Sequence, residues 1–596
     1  YNIFYNKIVI PEIKKRSKKD SILVIAMDFS TEERLKKAGI EFKRLSEYRL
    51  EKIEREAGQK SMDFAGSIPE KNPLLKEAVN YRGISLWDSD IIDIWESFFL
   101  GIVTNIDSLK AIIKNEKPKK ILLFDSSSEF GMLAKGVALK EKIPLIDKTP
   151  LIARIKSGII RFGGRIAIKK LGEYSCEVRR LRRIRSKRWD SSEEKAGKVV
   201  IFTNSPRTLK LTLPWAKMMK KCPVEVIGLS DSDKGMYDRE NISYLPFSKF
   251  VDAKLNDKVN KEEKRLSSLW HVRRKEFISV EYDGIDISRS IIGLFEFLFL
   301  SRFTELIFYI EVSERAIKER KPSLIVLFDC WNYFSKTVIS AARKNGIKTL
   351  FVQHGVISDI PLFSKTNVDA MAIYGEETRD ILVRHGNSQN KIHITGSLQL
   401  DYLKARRRNS YAALEKIGIN RKKKVIVFFS QPLPENEMIP AFHSLFEAAK
   451  SMPEVQLVIK LHPAESPALA ERIMHETGSN AIIVKNVGLA EILGISSAAI
   501  TISSTTFLDA LASDKPLIVL NLAGEDTLPC VNDGAAIGVY KKENILPSIR
   551  KILYDKKTIK NLSLKRKSAV KKYAYRIDGM ASKRIAELAE NLALKR

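Results

Sequence analysis

The chain has 596 residues, of which 44% are apolar and 29% are charged, so the composition indicates a globular protein and excludes a largely disordered one. Its 103 Lys and Arg residues outnumber its 72 Asp and Glu residues, and the net charge of +31 predicts an anionic partner: phosphate groups, nucleic acid or an acidic membrane surface. The four cysteines lie far apart without a CxxC pair, which argues against a zinc ribbon, an iron–sulfur site and a disulfide scaffold and favours a reducing, cytoplasmic compartment.

Short β-branched runs alternate with helix-length amphipathic segments along the chain. The runs lie at 22–27, 121–124, 143–146, 199–202, 224–227, 324–328, 349–352, 425–429, 455–461, 481–484, 498–502 and 517–520. Strands separated by helices of about 10–15 residues are typical of right-handed βαβ units and parallel sheets. The pattern therefore predicts an α/β protein with Rossmann-like domains.

An internal repeat links two of these units. Residues 117–147 and 321–351 share a Lys-Pro pair and a Leu-Phe-Asp run, and the helices before them match loosely at 91–100 and 291–300. Two generic Rossmann units would resemble each other through shared physics alone, but the matching upstream helices favour a true duplication.

The two copies differ where chemistry is expected. The second copy continues into Gln353-His354-Gly355, whereas the first continues into Asp147-Lys148-Thr149, and no histidine precedes His271. We therefore expect residues 1–150 to form an accessory domain.

Two further segments bear on partners. Residues 154–188 carry 13 Lys and Arg against two acids, which is typical either of a solvated linker or of a segment that contacts anionic lipid. The most apolar stretch, Ile291 to Val312, is interrupted by Glu296, Arg302 and Glu305. It predicts a buried or interfacial helix rather than a transmembrane one.

Polar side chains follow several strands of the second half, at the ends where parallel sheets bind ligands. His354 would act there as a base or phosphate ligand, or would cap the turn before Gly355. Lys460 and His462 end another strand and provide two donors suited to a diphosphate.

A hydroxyl cluster and nearby residues extend this pattern. Ser503, Ser504 and Thr505 precede a helix, where they either bind an anion or simply cap the helix. Three acids follow them as candidate ligands of sugar hydroxyls or as plain surface residues: Asp509, Glu525 and Asp526. Gly396 follows the strand at 392–394 and would allow a close backbone approach.

In this order, the motifs resemble the C-terminal half of GT-B glycosyltransferases and their relatives, over about 195–590. UDP-N-acetylglucosamine 2-epimerases have a "TGN…D" segment, an "HP" and a "GKPVLVLR…ERPE…G" run. The matching segments here are Thr395-Gly396-Ser397…Asp401, His462-Pro463 and Asp514 to Gly534.

Two transferase groups are similar as well. The "WHG" of CDP-glycerol glycerophosphotransferases resembles Gln353-His354-Gly355, and their "SS…D" and "DKP" segments resemble Ser503-Ser504…Asp509 and Asp514-Lys515-Pro516. In capsule and sialic-acid or Kdo transferases, a His-Pro motif and a Ser/Thr motif bind the CMP moiety, and His462-Pro463 and Ser503–Thr505 match these. The closing segment 575–585 also resembles these families.

The resemblance implies a GT-B-like pair of Rossmann-type domains plus an extra N-terminal Rossmann-like domain. The expected regions are 1–150 (accessory domain), 151–195 (basic linker), 196–360 (acceptor-side domain), 361–555 (nucleotide-binding domain) and 556–596 (C-terminal basic helical segment).

It further implies a metal-independent transferase without a cofactor, which uses a nucleotide sugar or a CDP- or CMP-activated donor to make surface polysaccharide, capsule or glycolipid. We expect a cytoplasmic protein that reaches a lipid-linked or polysaccharide acceptor at the inner face of the plasma membrane. The expected roles are: catalytic base, His354, with Asp329 and Asp359 as fallbacks; nucleotide and phosphate ligands, Lys460, His462, Ser503, Ser504, Thr505 and Gly396; sugar ligands, Asp509, Glu525 and Asp526. Two alternatives stay open: a sugar-nucleotide epimerase and a non-enzymatic binder of anionic polymers.

Overall fold

The computed structural model describes residues 8–27, 29–48, 51–149, 178–183, 197–205, 208–406, 418–420, 422–522 and 528–595. The N-terminal part, the accessory unit (8–149), holds two short parallel strand pairs, β1 with β2 and β5 with β6. Its elements are α1 (Ile10–Ser17), β1 (Ile25–Ala26), α2 (Phe29–Lys37), β2 (Lys43–Arg44), α3 (Glu51–Lys71), α4 (Pro73–Ala78), β3 (Asn80–Tyr81), β4 (Ile84–Ser85), α5 (Leu86–Ile94), α6 (Leu100–Glu116), β5 (Ile121–Leu123), α7 (Glu129–Lys140) and β6 (Leu145–Asp147).

The first domain is built on a parallel seven-stranded sheet with the order β15-β14-β13-β12-β7-β8-β9. Its elements are β7 (Lys198–Thr203), α8 (Thr208–Ala216), β8 (Val224–Gly228), α9 (Lys234–Asp238), β9 (Ser243–Pro246), α10 (Ala253–Phe277), β10 (Glu281–Tyr282), β11 (Ile285–Asp286), α11 (Ser288–Phe297), α12 (Phe303–Arg320), β12 (Pro322–Leu327), α13 (Tyr333–Lys344), β13 (Lys348–Val352), β14 (Ala370–Ile373), α14 (Glu376–Arg384) and β15 (Ile392–Ile394). The central strands are buried on both faces, as expected for a sheet with helices on both sides.

The second domain is built on a parallel six-stranded sheet with the order β18-β17-β16-β19-β20-β21. Its elements, with the connecting helix α15 and the closing helices, are α15 (Leu398–Arg406), β16 (Lys424–Phe429), α16 (Glu435–Lys450), β17 (Val455–Lys460), α17 (Ala468–Thr477), β18 (Ile482–Val484), α18 (Leu489–Ile495), β19 (Ala498–Thr501), α19 (Thr506–Ala512), β20 (Leu517–Leu520), α20 (Pro529–Asn532), β21 (Ile537–Val539), α21 (Ile545–Tyr554), α22 (Lys556–Ala574) and α23 (Ala581–Leu594). Two hydrophobic clusters cover the two faces of this sheet.

The last helix returns to the first domain. After α22 packs on the second domain, α23 packs against α8 and strands β7, β12 and β13 of the first sheet. Ile585 and Ala589 of α23 are buried in the hydrophobic cluster on that face. The closing segment therefore ties the two domains together, and the predicted GT-B-like pair of Rossmann-type domains with an extra N-terminal unit is confirmed.

The boundary predicted at 360/361 does not separate the two sheets. Strands β14 and β15 pair in parallel with β13 and with each other, so they belong to the first sheet. The reason is that the sheet to which a strand belongs depends on which other strand it pairs with. The sequence of a short buried strand does not indicate that partner. The change of sheet follows β15, within the stretch that contains α15.

The apolar stretch Ile291 to Val312 is buried, not interfacial. It forms most of α11, a π-helical turn (Leu298–Arg302) and the start of α12, and most of its side chains are buried, with Leu300 exposed. No helix among the described residues has the length and apolarity that spanning a bilayer would require.

Most of the basic segment 154–188 lies outside the described residues. Within the described part, Val178 and Leu181 are buried in the core, while Arg180 pairs with Asp231 and Arg182 pairs with Glu263. These arginines are engaged with the protein's own acids, which favours the linker interpretation for residues 178–183.

Candidate functional site

The carboxyl edge of the first sheet faces the second domain. Val356, two residues after His354, packs on the hydrophobic cluster of the second domain, and Tyr374 at the end of β14 is part of that cluster. A Cβ on Gly375 would lie 2.4 Å from the carbonyl oxygen of Lys572 in α22. Because strand ends in α/β sheets carry ligands, this junction is the natural place for a site.

The turn after β13 presents His354 to solvent. The side chain of Gln353 is buried, donates to the carbonyl of Gly355 at 2.7 Å and accepts from the amide of Tyr374 at 2.7 Å, so it fixes the turn to the end of β14. The side chain of Gln399 in α15 donates to the carbonyl of His354 at 2.9 Å. The backbone is therefore held while the imidazole is exposed.

The two fallback bases are engaged by the fold. Asp329 follows β12, and its Oδ1 accepts the amides of Trp331 at 2.7 Å and Asn332 at 3.0 Å, so it shapes the turn into α13. Asp359 pairs with His385 at 2.8 Å and Arg384 at 2.9 Å. Partial burial raises the pKa of Asp359, but these two partners more than offset that and lower it.

The turn after β17 is organised around Glu465. One carboxylate oxygen accepts the backbone amide of His462 at 2.6 Å, and the other accepts the hydroxyl of Ser430 at 2.6 Å. The Nδ1 of His462 accepts the amide of Ala464 at 3.1 Å, so in the neutral ring the proton sits on Nε2. His462 is exposed and can donate from that nitrogen to an anion.

Gln431 links this turn to the hydroxyl cluster. Its side chain accepts the backbone amide of Ser503 at 2.8 Å and donates to the Ser503 hydroxyl oxygen at 3.0 Å. The Ser503 oxygen acts as acceptor in that bond, so its own proton remains a donor. Since Gln431 follows Ser430 directly, the ends of β16, β17 and β19 form one hydrogen-bonded group, which we call the strand-end network: Ser430, Gln431, His462, Glu465 and Ser503.

The sequence predictions captured two members of the strand-end network and missed three. His462 and Ser503 were predicted, whereas Gln431 and Ser430 directly follow a predicted strand and the same strand-end rule would have found them. Glu465 has a weaker signal, because its role depends on a turn that returns its carboxylate to His462.

Two predicted phosphate ligands have other partners. The Lys460 ammonium donates to the carbonyls of Leu461 at 3.0 Å and Lys485 at 2.7 Å, and burial lowers its pKa. These two hydrogen bonds join the ends of β17 and β18. Gly396 does allow a close approach at its φ of 86°, but the group that approaches is the chain's own C-terminal segment: an added Cβ would lie 3.2 Å from Arg584 and 3.4 Å from Ala581.

The remaining predicted residues differ in exposure. Thr505 is exposed and Ser504 half-buried, with the Ser504 oxygen accepting the amide of Thr506 at 3.3 Å, which is a capping contact. Asp509 is buried on α19 near Tyr374, and this burial raises the pKa of its carboxyl to about 7. It is therefore poorly placed to bind sugar. Glu525 and Asp526 lie outside the described residues.

One family model matches part of the chain. Residues 368–590 match the family model described as UDP-N-acetylglucosamine 2-epimerase. That range holds the strand-end network and the closing helices, and it begins just before β14. A search of curated proteins finds no match.

Solved structures of similar fold are distant in sequence. A crystal structure of a UDP-N-acetylglucosamine 2-epimerase is 15% identical, with a TM-score of 0.45 over 68% of this chain and 98% of that one. The Neisseria meningitidis UDP-GlcNAc 2-epimerase bound to UDP-GlcNAc is 14% identical (TM-score 0.43, 66% and 99% covered). A Rickettsia africae glycosyltransferase is 12% identical (TM-score 0.42, 68% and 100% covered).

Proposed function

We propose that this protein is an enzyme that acts on UDP-N-acetylglucosamine or a closely related UDP-sugar, with 2-epimerase-type chemistry as the first candidate. The observation that carries the proposal is the match of residues 368–590 to the 2-epimerase family model, since the matched range contains the whole strand-end network. The net charge of +31 also suits an anionic substrate.

The strand-end network would hold the diphosphate. The Nε2–H of His462 and the hydroxyl of Ser503 are donors at the carboxyl edge of a parallel sheet, where phosphates commonly bind. In this scheme, Gln431 and Glu465 do not contact the ligand. They orient the two donors in advance, which lowers the ordering cost of binding.

His354 would carry out proton transfer from the opposite sheet. An epimerase has to remove a proton from carbon and return one to the opposite face, and the exposed imidazole of His354 has ring nitrogens that can accept and donate a proton. Backbone amides hold Asp329, and Arg384 and His385 hold Asp359, which leaves the His354 imidazole as the better candidate.

Transfer of the sugar to an acceptor is the second candidate. It is favoured by the same engagement of Asp329 and Asp359, because a transferase needs one base to deprotonate an acceptor hydroxyl, whereas epimerisation calls on two proton-transfer groups. The expected acceptor would be a lipid-linked or polysaccharide hydroxyl, reached from the first-domain side.

Ligand binding is tested by thermal shift with UDP, CDP, CMP and GDP compounds. UDP-N-acetylglucosamine should raise the melting temperature, since a specific ligand at 100 times its Kd stabilises by about 2.7 kcal/mol. His462→Ala should weaken binding by about 10- to 100-fold, through loss of a hydrogen bond to a charged group. His475→Ala, an exposed histidine on α17, is the matched control and should bind normally. Normal binding by His462→Ala, or tighter binding to random DNA than to any sugar nucleotide, contradicts the proposal.

Activity separates the two candidates. The protein is incubated with UDP-N-acetylglucosamine alone, and the C2 configuration is followed by NMR. An epimerase converts the substrate without an acceptor, whereas a transferase leaves it unchanged until an acceptor is supplied. His354→Ala should retain the thermal shift and lose turnover by about 10²–10⁴-fold, the usual contribution of a general base. Full turnover in this variant would exclude His354 as the base.

A further inference from the structure

The duplication seen in the sequence extends over whole half-domains. The first copy, residues 25–147, and the second copy, residues 226–352, share the order strand, helix, strand, 3₁₀ turn, long helix, hairpin, helix, π-turn, helix, strand, helix and strand. The first copy adds the short helix α4 before its hairpin, and the second adds a 3₁₀ turn (Asp231–Asp233) before α9. Both hairpins turn through two residues with positive φ, Arg82-Gly83 and Asp283-Gly284. Both helices before the last βαβ unit end at a left-handed lysine with a φ of 46°, Lys117 and Lys321.

Fine details of the two copies agree as well. After β5, the Asp125 Oδ1 accepts the amides of the residues two and three positions on. After β12, Asp329 does the same. In each copy, the residue three positions after this aspartate caps the following helix: Ser128 in the first copy and Asn332 in the second. These shared turn contacts identify the accessory unit as a second example of the half-domain that carries His354.

The two copies contact each other reciprocally. Lys344, near the end of α13 in the second copy, donates to the carbonyl of Arg82 in the first hairpin at 3.1 Å. Lys140, at the equivalent place on α7 in the first copy, donates to the carbonyl of Asp283 in the second hairpin at 2.6 Å. One contact is the image of the other with the copies exchanged, which is the defining property of a twofold, isologous interface.

An ion pair repeats the same relation with its charges exchanged. Arg82 of the first hairpin pairs with Glu314 on α12 at 2.9 Å. In the equivalent positions, Asp283 of the second hairpin pairs with Lys110 on α6. A pair preserved in position while its polarity is inverted indicates that the contact itself has been retained.

Packing follows the same symmetry. Helix α5 of the first copy packs on α13 of the second, and α7 of the first packs on α11 and β11 of the second. Trp87 and Phe295 meet across the contact, with ring centroids 5.5 Å apart. Both copies contribute to a single hydrophobic core, so the contact has the character of a permanent subunit interface.

The symmetry is broken at the second π-turn. The last residue of the second π-turn is Arg302, which is buried, lies 4.0 Å from the centre of the Tyr333 ring and is 3.5 Å from Asp90 and 3.4 Å from Asp93 on α5 of the first copy. The last residue of the first π-turn (Trp95–Phe99) is Phe99, in an apolar setting. The polar cluster thus lies between the two copies, and the first copy supplies Asp90 and Asp93.

We propose that residues 25–147 are a partner subunit fused into the chain, which occupies the face through which two copies of the second half-domain would otherwise pair as a twofold dimer. The surface is self-complementary in fold and in contacts, so the partner it fits is another copy of the same half-domain. In the native chain, residues 25–147 of the same chain cover this face.

The test displaces the first copy and asks whether a second chain takes its place. A Cβ on Gly136 of α7 would lie 2.5 Å from the side chain of Ile285 in the second copy, so Gly136→Leu forces this contact apart. Gly101→Leu on α6 is the control, because nothing lies within 4 Å of a Cβ there. The full-length variants are compared with the native chain by light scattering after gel filtration and by hydrogen exchange.

We expect Gly136→Leu to exchange faster at β11, α11 and α13, to keep native protection at β16 to β21, and to double in mass as the uncovered faces pair. Gly101→Leu should match the native chain. Lys140→Glu acts on the same contact without added bulk and should shift exchange in the same direction. The proposal is overturned if exchange rises without any gain in mass, if protection is also lost in the six-stranded sheet, or if both interface variants behave as the native chain does.

Discussion

Burial of one carboxyl gives the protein a defined pH dependence. Asp509 lies on α19 against the domain junction, near the buried hydroxyl of Tyr374, and desolvation raises its pKa to about 7 from an ordinary value near 3.8. In the folded state the group therefore binds its proton more tightly than in the unfolded chain. Between those two pKa values the native state holds the extra proton, so this group's contribution to stability falls as pH rises.

Asp509→Asn should remove that dependence. At pH 5 the native carboxyl is protonated and resembles an amide, whereas at pH 8 it is ionised in a buried position. The stability of the variant relative to the native chain should increase by about 2–3 kcal/mol between pH 5 and pH 8, because roughly two pH units of this range lie below the folded-state pKa of about 7 and each is worth about 1.36 kcal/mol. Denaturant unfolding at pH 5, 6, 7 and 8 measures it, with Asp380→Asn on the surface of α14 as the control. A constant difference across this range would show that the carboxyl is not buried as described.

The sequence predicted which polar residues lie at strand ends, but it did not predict the hydrogen-bond partners of their side chains. His462 and Ser503 were found because a polar residue after an apolar β-branched run is visible locally. Lys460 fits the same rule and yet donates to the carbonyl of Lys485, a contact that exists because β18 pairs beside β17. Asp509 was assigned to a ligand because helix position alone does not reveal whether a side chain faces the cleft or the domain junction.

At the scale of elements, the closing helix α23 depends on one glycine at the end of β15. Arg584 donates from Nε to the carbonyl of Thr395 at 2.7 Å and pairs with Asp578 at 2.9 Å. Gly396, next to Thr395, has a φ of 86°, and a Cβ there would lie only 3.2 Å from the Arg584 guanidinium, which would have to move. This contact fixes the helix that returns from the second domain to the first.

Gly396→Ala should loosen this connection. The change adds left-handed strain of about 1–2 kcal/mol and pushes on Arg584 and Ala581. Gly579→Ala is a matched control, because its φ of 80° brings similar strain while nothing lies within 4 Å of the added Cβ. Gly396→Ala should therefore lose more stability than the control and expose α23 to faster hydrogen exchange. Equal losses in the two variants would mean that the helix does not depend on the close approach.

Element types were largely predictable, whereas element membership was not. The predicted strands from 199 onward occur within a few residues of their expected positions, because parallel strands buried on both faces give near-continuous apolar runs. The same uniformity hid the assignment of β14 and β15 to the first sheet. The hairpins and π-turns of the two copies were also not predicted, although the sequence repeat at 117–147 and 321–351 indicated the duplication itself.

At the scale of the whole molecule, the proposed site draws on both Rossmann domains. The strand-end network belongs to the six-stranded sheet, whereas the His354 turn belongs to the seven-stranded one, and Val356 and Gly375 show that this edge contacts the second domain. Helix α23 and the Gln399 contact to His354 keep the two edges connected. A sugar nucleotide that contacts both sheet edges would slow the local opening, and so the hydrogen exchange, of each edge.

Hydrogen exchange with and without UDP-N-acetylglucosamine tests this arrangement directly. We expect slower exchange in the ligand complex at 430–431, 462–465 and 503–505 on one sheet and at 353–357 on the other, since a ligand that binds the closed state lowers the population of open states. UDP alone should protect the first three segments and leave 353–357 unchanged, because it lacks the sugar that reaches the His354 turn. The hairpin at Arg82 and Gly83, remote from both edges in the fold, serves as the internal control. Protection of the second domain alone by the complete sugar nucleotide would separate His354 from the substrate and leave the phosphate side as a binding site without a partner for proton transfer.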